Sequence, residues 1–502
     1  MDYPIRFGLA NATAREQTQV AEQCVDAAWD ALRPKLVELV RSFLGAPLNP
    51  AAFFAFEIAL VALVRELGRG LLERTLNALE PSRPESLPRD LWHECGGYRR
   101  RNAKTRNPHV ATLLGNVVLW RRGWRSWQAA DRSIFPLEMM LGLTAGVSPG
   151  LVDWLGRKMA EAGASQGRVL ELLRTECGVA MGVKRLRACI EQLSESMSDL
   201  RQEQQVDRLL EALEKARTSR GNRKPVLAVG RDGITLREYT HRFFEVATAA
   251  TLSVYDRAGK RLATVYLAWP PELGQATMDR MLTDLLRELL GRWTGPLPQL
   301  AYVADSGGNE SSYFEKTLWR MTHPRTGQPL TWQRVVDYYH VAERIWTMAA
   351  ALLGKDTRES VAWAHRMLKA LKKPSGPSRV LHSAASLFHR RDLPDARAKD
   401  FWKAYRYLQK RTQFLRYHDY ASRHLPLGSG VTEAACKTIF TQRLKLSGMR
   451  WSHQGAKTIL ALRVILLSKT WSPAMAAYLK TITPTGLRPY APPKEKRVKI
   501  AA

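Results

Sequence analysis

The chain has 502 residues and a formal net charge of +30, with a sequence pI near 10.2. This length predicts two or three domains, and so large a charge excess favours a polyanionic partner, DNA above all, over solubility alone. The longest apolar run, at 51–64, contains Glu57 and is too short to span a bilayer. It predicts a buried helix and no membrane partner. Five cysteines without paired spacing, and no secretory signal pattern, favour a reducing cytoplasm.

Residues 1–85 have apolar positions at helical spacing and predict a helical N-terminal region that ends in a linker at 81–86. Residues 86–217 predict a DNA-binding region. Its first part mixes arginine with tryptophan, which suits phosphate neutralisation and base stacking. A solvated basic face over a tryptophan core explains the same pattern. The arginines expected on DNA are Arg99, Arg100, Arg101, Arg121 and Arg122.

The second part of this region, from about residue 149, has helical periodicity. Residues 165–193 resemble a helix–turn–helix whose second helix is 183–193, although any helical hairpin gives a similar pattern. A long polar helix follows and ends at a boundary at 218–224.

Beyond residue 225 the periodicity changes to that of strands. Three strands, a helix, a strand, a helix and a further strand predict a mixed sheet with helices on its faces over 225–340. Residues 341–425 predict an all-helical insertion, and 426–480 the last helices of the same core. The basic segment 481–502 is expected to be a disordered tail. The predicted fold class is therefore multidomain α+β.

Three carboxylates stand out in this part of the chain. Asp232 and Asp305 follow apolar strands and precede glycine, and Glu433 lies early in a helix that a glycine-rich segment introduces. Each alone also suits a turn or a helix cap. Together they offer the hard oxygen ligands with which two divalent cations, about 3.5–4 Å apart, promote phosphodiester cleavage. We therefore expect these three residues to bind two Mg²⁺ or Mn²⁺ ions.

Basic side chains follow Glu433 with no acidic partner among them. They predict phosphate contacts, while a plain Glu433–Lys437 ion pair, worth about 0.2–0.5 kcal/mol, is the alternative. Trp451 either stacks on an extruded base or belongs to the core. The expected DNA-binding residues in this segment are Lys437, Arg443, Lys445, Arg450 and Trp451.

The segment 426–451, the sequence "DYYH" at 337–340 and the block "TLLGNVVLWRRGW" resemble a known family. The chain is similar to bacterial insertion-sequence transposases of the DDE class, in the ISKra-type group of the Mutator-like superfamily, over roughly residues 90–470. Many relatives carry a Cys-rich ribbon before the "FPL" segment, which this chain lacks.

The resemblance implies an RNase H-like catalytic core with Asp232, Asp305 and Glu433 as the catalytic triad. It also implies that His340, and Asp337 with it, positions the site or a phosphate. A core or capping histidine is the alternative. The implied location is the bacterial cytoplasm, in association with the nucleoid.

The implied activity is metal-dependent cleavage at the terminal inverted repeats of an insertion sequence, followed by strand transfer into target DNA. A homodimer or a higher oligomer on DNA is expected. A nuclease or resolvase with the same core, without strand transfer, is one alternative. A non-catalytic DNA-binding protein derived from a transposase is another, but such a protein gains nothing from three carboxylates near phosphates.

Overall fold

The computed structural model describes residues 12–129, 132–237 and 244–490. The chain divides into two compact units. The first comprises residues 1–159, 164–193 and 475–502, and the second comprises 160–163 and 194–474. In the described part of the chain, no helix combines the length and the apolar character needed to cross a membrane.

The first unit joins a helical hairpin to an antiparallel sheet and further helices. Its elements are α1 Ala14–Gly45, α2 Pro50–Leu79, β1 Asp90–His93, β2 Gly96–Thr112, β3 Gly115–Ser126, β4 Ser133–Ile134, α3 Pro136–Met140, α4 Pro149–Ala160, α5 Gln166–Cys177, the first part of α6 Val183–Thr218, and β10 Arg488–Pro489. The strand order is β10-β1-β2-β3-β4, with every neighbouring pair antiparallel.

The helical N-terminal region predicted from the sequence is present as α1 and α2, but its packing differs from the prediction. Ala28 and Leu32 are the buried residues of α1, and α2 has none. The C-terminal turns of α2 pack against β3, where Leu72 and Leu76 contact the cluster around Leu119. The apolar run at 51–64 lies ahead of this contact, so the prediction that it is buried is wrong for a single chain.

The helix pair predicted at 165–193 is present, but its second member does not end at residue 193. α6 is one continuous helix of 36 residues. Gly178 ends α5 in the left-handed conformation, with φ of 65°. Assignment of this pair as a helix–turn–helix stays a prediction. From residue 194 onward α6 belongs to the second unit, so the boundary between units lies within this helix and not at 218–224.

The tail predicted from residue 481 begins with ordered backbone. Arg488 and Pro489 pair with Trp92 and Leu91 of β1 and add an edge strand to the first sheet. The remainder of the predicted tail, at 491–502, lies outside the described residues.

Glu80, which follows α2, is a buried acid that should make the free energy of unfolding depend on pH. It is 3 % exposed. Its Oε1 accepts a hydrogen bond from the Arg122 backbone N–H at 3.2 Å, and its Oε2 has no hydrogen-bond partner among the described residues. Burial raises the pKa of Glu80 to about 7, although the positive charge of Lys104 opposes the shift.

Ionised Glu80 therefore destabilises the folded state as pH rises from the ordinary glutamate range through about 7. We expect Glu80→Gln to raise the free energy of unfolding at pH 8.5 by roughly 1–3 kcal/mol. At pH 5 the gain should shrink below about 1 kcal/mol, because the folded protein then keeps the Glu80 proton. Urea unfolding at both pH values measures the difference. A gain that is equal at both values, or larger at pH 5, would show that burial does not govern this carboxyl.

The second unit is built on a mixed sheet, as predicted. Its elements are the rest of α6, β5 Val226–Arg237, β6 Phe244–Tyr255, β7 Arg261–Trp269, α7 Ala276–Arg292, β8 Gln299–Ala304, α8 Gly308–Tyr313, β9 Trp332–Val336, α9 Tyr338–Leu353, α10 Arg358–Leu371, α11 Gly376–His389, α12 Asp395–Gln409, α13 Tyr417–Ser422, α14 Gly430–Cys436, α15 Gln442–Leu444, α16 His453–Leu467 and the start of α17 Trp471–Thr481. The strand order is β7-β6-β5-β8-β9. β6 is antiparallel to β5 and β7, and β8 is parallel to β5 and β9.

Both faces of this sheet are covered. On one face α6 and α7 pack over Val229 and Tyr302. On the other, α9 to α13 form a helical layer over Ala301 and Val335, which corresponds to the helical region predicted at 341–425. The Tyr417 hydroxyl donates a hydrogen bond to the Val336 carbonyl at 2.8 Å and ties this layer to β9.

Candidate active site

The sheet brings Asp232 and Asp305 to one edge. β5 does not end at Asp232, as the sequence suggested, but continues to Arg237 in antiparallel pairing with β6. Its parallel pairing with β8 stops at Arg231 and Ala304. Asp232 and Asp305 are thus the next residues on two neighbouring parallel strands, and the matched register directs both side chains to the same face.

Helix α14 reaches this edge through a close approach to β5. The Thr432 hydroxyl lies 2.8 Å from that of Thr251 on β6. A Cβ atom on Gly230 would collide with Thr432 Oγ1 and stand 3.0 Å from Thr251 Oγ1. Only glycine at position 230 permits this approach, which brings Glu433 and Cys436 near Asp232 of β5.

Local hydrogen bonds hold each carboxylate. Asp232 Oδ1 accepts from the Gly233 N–H at 2.7 Å, and the Cys436 thiol donates to the same carboxyl. Asp305 Oδ1 accepts from the Gly307 N–H at 2.9 Å. Glu433 Oε1 accepts from the Ser429 hydroxyl at 2.9 Å. Their orientation is therefore set by the fold before any ligand arrives.

These acids lie close enough to repel one another. Burial raises the pKa of Asp232, the Gly233 N–H opposes the shift, and the negative charges of Asp305 and Glu433 raise the pKa further. Burial, together with the charge of Asp232, raises the pKa of the Cys436 thiol. Asp305 and Glu433 are therefore near enough to act on the charge of Asp232, although the ligand atoms of these three acids do not all lie within 4.8 Å of one another.

Glu310 is a fourth carboxylate at this edge that the sequence analysis missed. A Cβ atom on Gly307 would collide with Glu310 Oε2 and stand 3.1 Å from Asp305 Oδ1, so both carboxyl groups flank Gly307. Burial raises the pKa of Glu310, and the charges of Asp305 and Asp232 raise it further. The sequence signal was an acid five residues after Asp305, in the first turn of α8.

Asp337 and His340 adjoin the site on the side of Glu433. Ligand atoms of Asp337, His340 and Glu433 lie within 4.8 Å of one another, the one such group among the described residues. Asp337 is fully buried, and its two oxygens accept from the backbone N–H groups of Tyr339, His340 and Ser429. It therefore caps α9 and fixes the loop ahead of α14. His340 Nε2 lies 3.8 Å from Glu433 Oε1, in a position to orient that carboxylate.

The predicted DNA-binding residues after Glu433 divide into two groups. Lys437, Lys445 and Arg450 are exposed. Arg443 is 1 % exposed and lies 5.0 Å from the Trp451 ring centroid, and burial lowers its pKa to about 10. The Trp451 indole N–H donates to the Leu444 carbonyl at 3.0 Å. The prediction that Arg443 contacts phosphate is therefore wrong, while Trp451 is half-buried and its stacking on a base stays a prediction.

A π-turn at Lys437–Thr441 explains the position of Arg443. The wider turn accommodates an extra residue and rotates everything that follows by about 100° around the helix axis. Regular helical spacing counted from Glu433 consequently misplaces the side chains beyond Lys437.

The arginines of the β2–β3 hairpin, in the other unit, also include both exposed side chains and side chains that bind protein atoms. Arg99 and Arg101 are exposed. Arg122 is 3 % exposed and donates to the Asn102 carbonyl. Arg121 pairs with Glu138 at 2.5 Å and donates to Thr105, and Arg100 donates to the carbonyls of Pro84 and Leu87. The prediction of DNA contact is wrong for the buried Arg122, and for the half-buried Arg100 and Arg121, whose guanidinium groups bind protein atoms, it stays a prediction.

The donor set of the carboxylate group fits divalent cations. Asp232, Asp305 and Glu433 supply hard oxygen ligands, and burial, with a smaller contribution from the charges of Asp305 and Glu433, raises the pKa of Asp232. The sequence matches no protein-family model, and no curated protein matches it significantly.

Proposed function

We propose that the chain is a DDE transposase with an RNase H-like core that cleaves DNA at the ends of an insertion sequence and transfers the freed strand to target DNA. The observation that carries the proposal is the convergence of Asp232, Asp305 and Glu433 from adjacent strands and a docked helix. A triad of this class has its first acid on the first strand of the sheet and its second after the fourth. The positions of Asp232 on β5 and Asp305 after β8, the first and fourth strands of this sheet in chain order, support the proposal.

The residues of the chain prepare the site for in-line phosphoryl transfer. Gly233, Cys436 and Ser429 fix Asp232 and Glu433 by hydrogen bonds, so little reorganisation is left for the reaction itself. Asp232, Asp305 and Glu433 would hold two Mg²⁺ or Mn²⁺ ions, which when bound activate the attacking oxygen and stabilise the leaving one. His340 would maintain the orientation of Glu433.

Two successive reactions can use one such site, and in each of them one bond to phosphorus forms as another breaks. In cleavage, a water oxygen bonds to phosphorus, the P–O3′ bond breaks, and the 3′ oxygen leaves as a hydroxyl. In strand transfer, that 3′-hydroxyl bonds to a target phosphorus, and the target's own 3′ oxygen leaves. Both are displacements at phosphorus, so the same carboxylates serve both.

A strand-transfer assay tests the proposal. The full-length protein is incubated with Mg²⁺ or Mn²⁺, labelled duplexes that carry the DNA flanking its reading frame, and an unlabelled target plasmid. Cleavage at inverted repeats followed by joining to the plasmid is the expected result. Cleavage without joining would identify a nuclease or resolvase. Tight binding with neither reaction would identify a non-catalytic DNA-binding protein.

The exposed lysines beyond Glu433 give a second expected result. Lys437→Ala and Lys445→Ala should each weaken binding to cognate and random duplexes alike. Each should flatten the plot of log K against log salt concentration by about one unit, because each loses one phosphate contact. Fluorescence anisotropy over a salt series measures both slopes.

Arg443→Met is the matched control for the lysine variants. Replacing this buried residue should lower the melting temperature and leave the slope of log K against log salt concentration unchanged. Unaltered slopes in both lysine variants would remove this helix from the DNA interface.

A further inference from the structure

Exposed apolar side chains are concentrated in the N-terminal helical hairpin. In the described parts of the chain, 23 large apolar side chains are exposed, and 11 of them lie between residues 25 and 64. These are Val25, Trp29, Val37, Val40, Leu44, Leu48, Phe53, Phe54, Ile58, Val61 and Val64. A small fraction of the sequence therefore holds almost half of this surface.

The exposed residues form a face on each helix. On α1, Val37, Val40 and Leu44 follow the i, i+3, i+7 spacing of one helix face. On α2, Phe54, Ile58 and Val61 follow the i, i+4, i+7 spacing. The sequence of α2 predicts a buried helix at this point, yet nothing in the described single chain buries it.

Contacts between α1 and α2 hold the hairpin together, so these apolar faces stay exposed in the folded single chain. The rings of Phe43 and Phe56 stack with their centroids 4.3 Å apart, and Lys35 pairs with Glu66 at 2.6 Å. Asn77 anchors α2 to the first sheet by hydrogen bonds to both Val118 and Trp120.

The exposed apolar area is large enough to contribute to a dimer interface. Exposed fractions of 42–89 % over these eleven side chains correspond to on the order of 1,000 Å² over all sides of the hairpin. A standard interface buries about 800 Å² per partner, and the largest apolar patch of an ordinary monomer is about 300–600 Å².

Charge indicates which partner fits this face. The segment 14–79 has eight acidic and seven basic residues, a net charge of −1, within a chain of +30. The rest of the chain therefore carries +31. A neutral apolar face suits neither DNA nor an anionic membrane, both of which recruit lysine and arginine. Balanced charges around an apolar face also allow two identical copies to meet without like-charge repulsion.

We propose that the chain dimerises through the exposed apolar side chains of α1 and α2. A two-fold axis makes such an interface self-complementary. This dimer goes beyond the proposed function and does not depend on it, because it forms without DNA.

Sedimentation equilibrium tests the proposal on the full-length, nuclease-treated protein in 0.5 M NaCl, where bridging nucleic acid is removed. The wild type is expected to show twice the chain mass of 56.8 kDa at micromolar concentration. The double variant Phe54→Glu, Ile58→Glu should show the single mass with an unchanged circular dichroism spectrum. Leu273→Glu, at a side chain 95 % exposed outside the hairpin, is the control and should stay dimeric.

Val40→Glu examines the same face from α1 and stands in for the double variant if that variant aggregates. A wild type that is monomeric under these conditions overturns the proposal, and so does a dimer that Val40→Glu or the double variant leaves intact. A monomer that sediments with neutral or anionic lipid vesicles overturns it in favour of a membrane partner.

Discussion

Under the proposed function, Asp232→Asn, Asp305→Asn and Glu433→Gln should each reduce DNA cleavage by at least about 10³-fold, because each would remove one oxygen ligand of the proposed cations. DNA affinity should change little, since the proposed phosphate contacts come from basic side chains elsewhere. Glu310→Gln should cost about 10–100-fold, as expected for a carboxylate that flanks the triad. Single-turnover cleavage and anisotropy, on the same preparations, separate the two effects.

Asp256→Asn is the matched control in the same sheet. Asp256 Oδ1 accepts from the backbone N–H groups of Ala258 and Lys260 in the turn between β6 and β7, a role that asparagine also fills. This variant should retain cleavage. Robust Mg²⁺-dependent cleavage by any of the three triad variants would mean that the catalytic acids lie elsewhere.

Gly230→Ala should disable the site without touching a carboxylate. The added Cβ would collide with Thr432 Oγ1, so α14 must move away from β5 and carry Glu433 and Cys436 with it. Overpacking of this kind costs about 1–3 kcal/mol of stability. A displacement near 1 Å costs about 100-fold in rate. Thermal unfolding and single-turnover cleavage measure the two losses.

The contact between position 230 and Thr432 Oγ1 also allows an experiment that restores activity to Gly230→Ala. Adding Thr432→Ala to Gly230→Ala removes Oγ1, while Thr432→Ser retains it, so alanine should restore part of the activity and serine should not. Gly430→Ala is the control on the same helix, because a Cβ there meets no atom within 4 Å. Equal behaviour of the alanine and serine double variants would show that this approach does not position Glu433.

The order of elements in the second unit followed from sequence because strand and helix periodicities differ there and glycine or proline separates many of the elements. The three acids were identifiable since two follow buried strands and the third opens a basic helix. The end of β5 was misjudged at Asp232 because its antiparallel pairing with β6 outlasts its parallel pairing with β8. Pairing partners are not visible in a single strand's pattern.

The sequence was a poorer guide to which charged groups face solvent. Arg122 and Arg443 stand in the same kind of basic sequence as Arg99 and Lys445, but the hairpin pleat and the π-turn direct them inward. Glu310 escaped notice because its proximity to Asp305 arises from the turn at Gly307. The exposed hairpin face was misread as core, because composition alone does not say whether a helix is buried by its own chain or by another.

Anomalous diffraction from crystals of the protein bound to DNA in Mn²⁺ tests the central claim most directly. Two anomalous peaks about 3.5–4 Å apart, contacted by Asp232, Asp305 and Glu433, are the predicted result. Mn²⁺ peaks away from these residues, or Asp232 and Asp305 carboxylates more than about 10 Å apart, would contradict a shared metal pair and with it the proposed transposase chemistry.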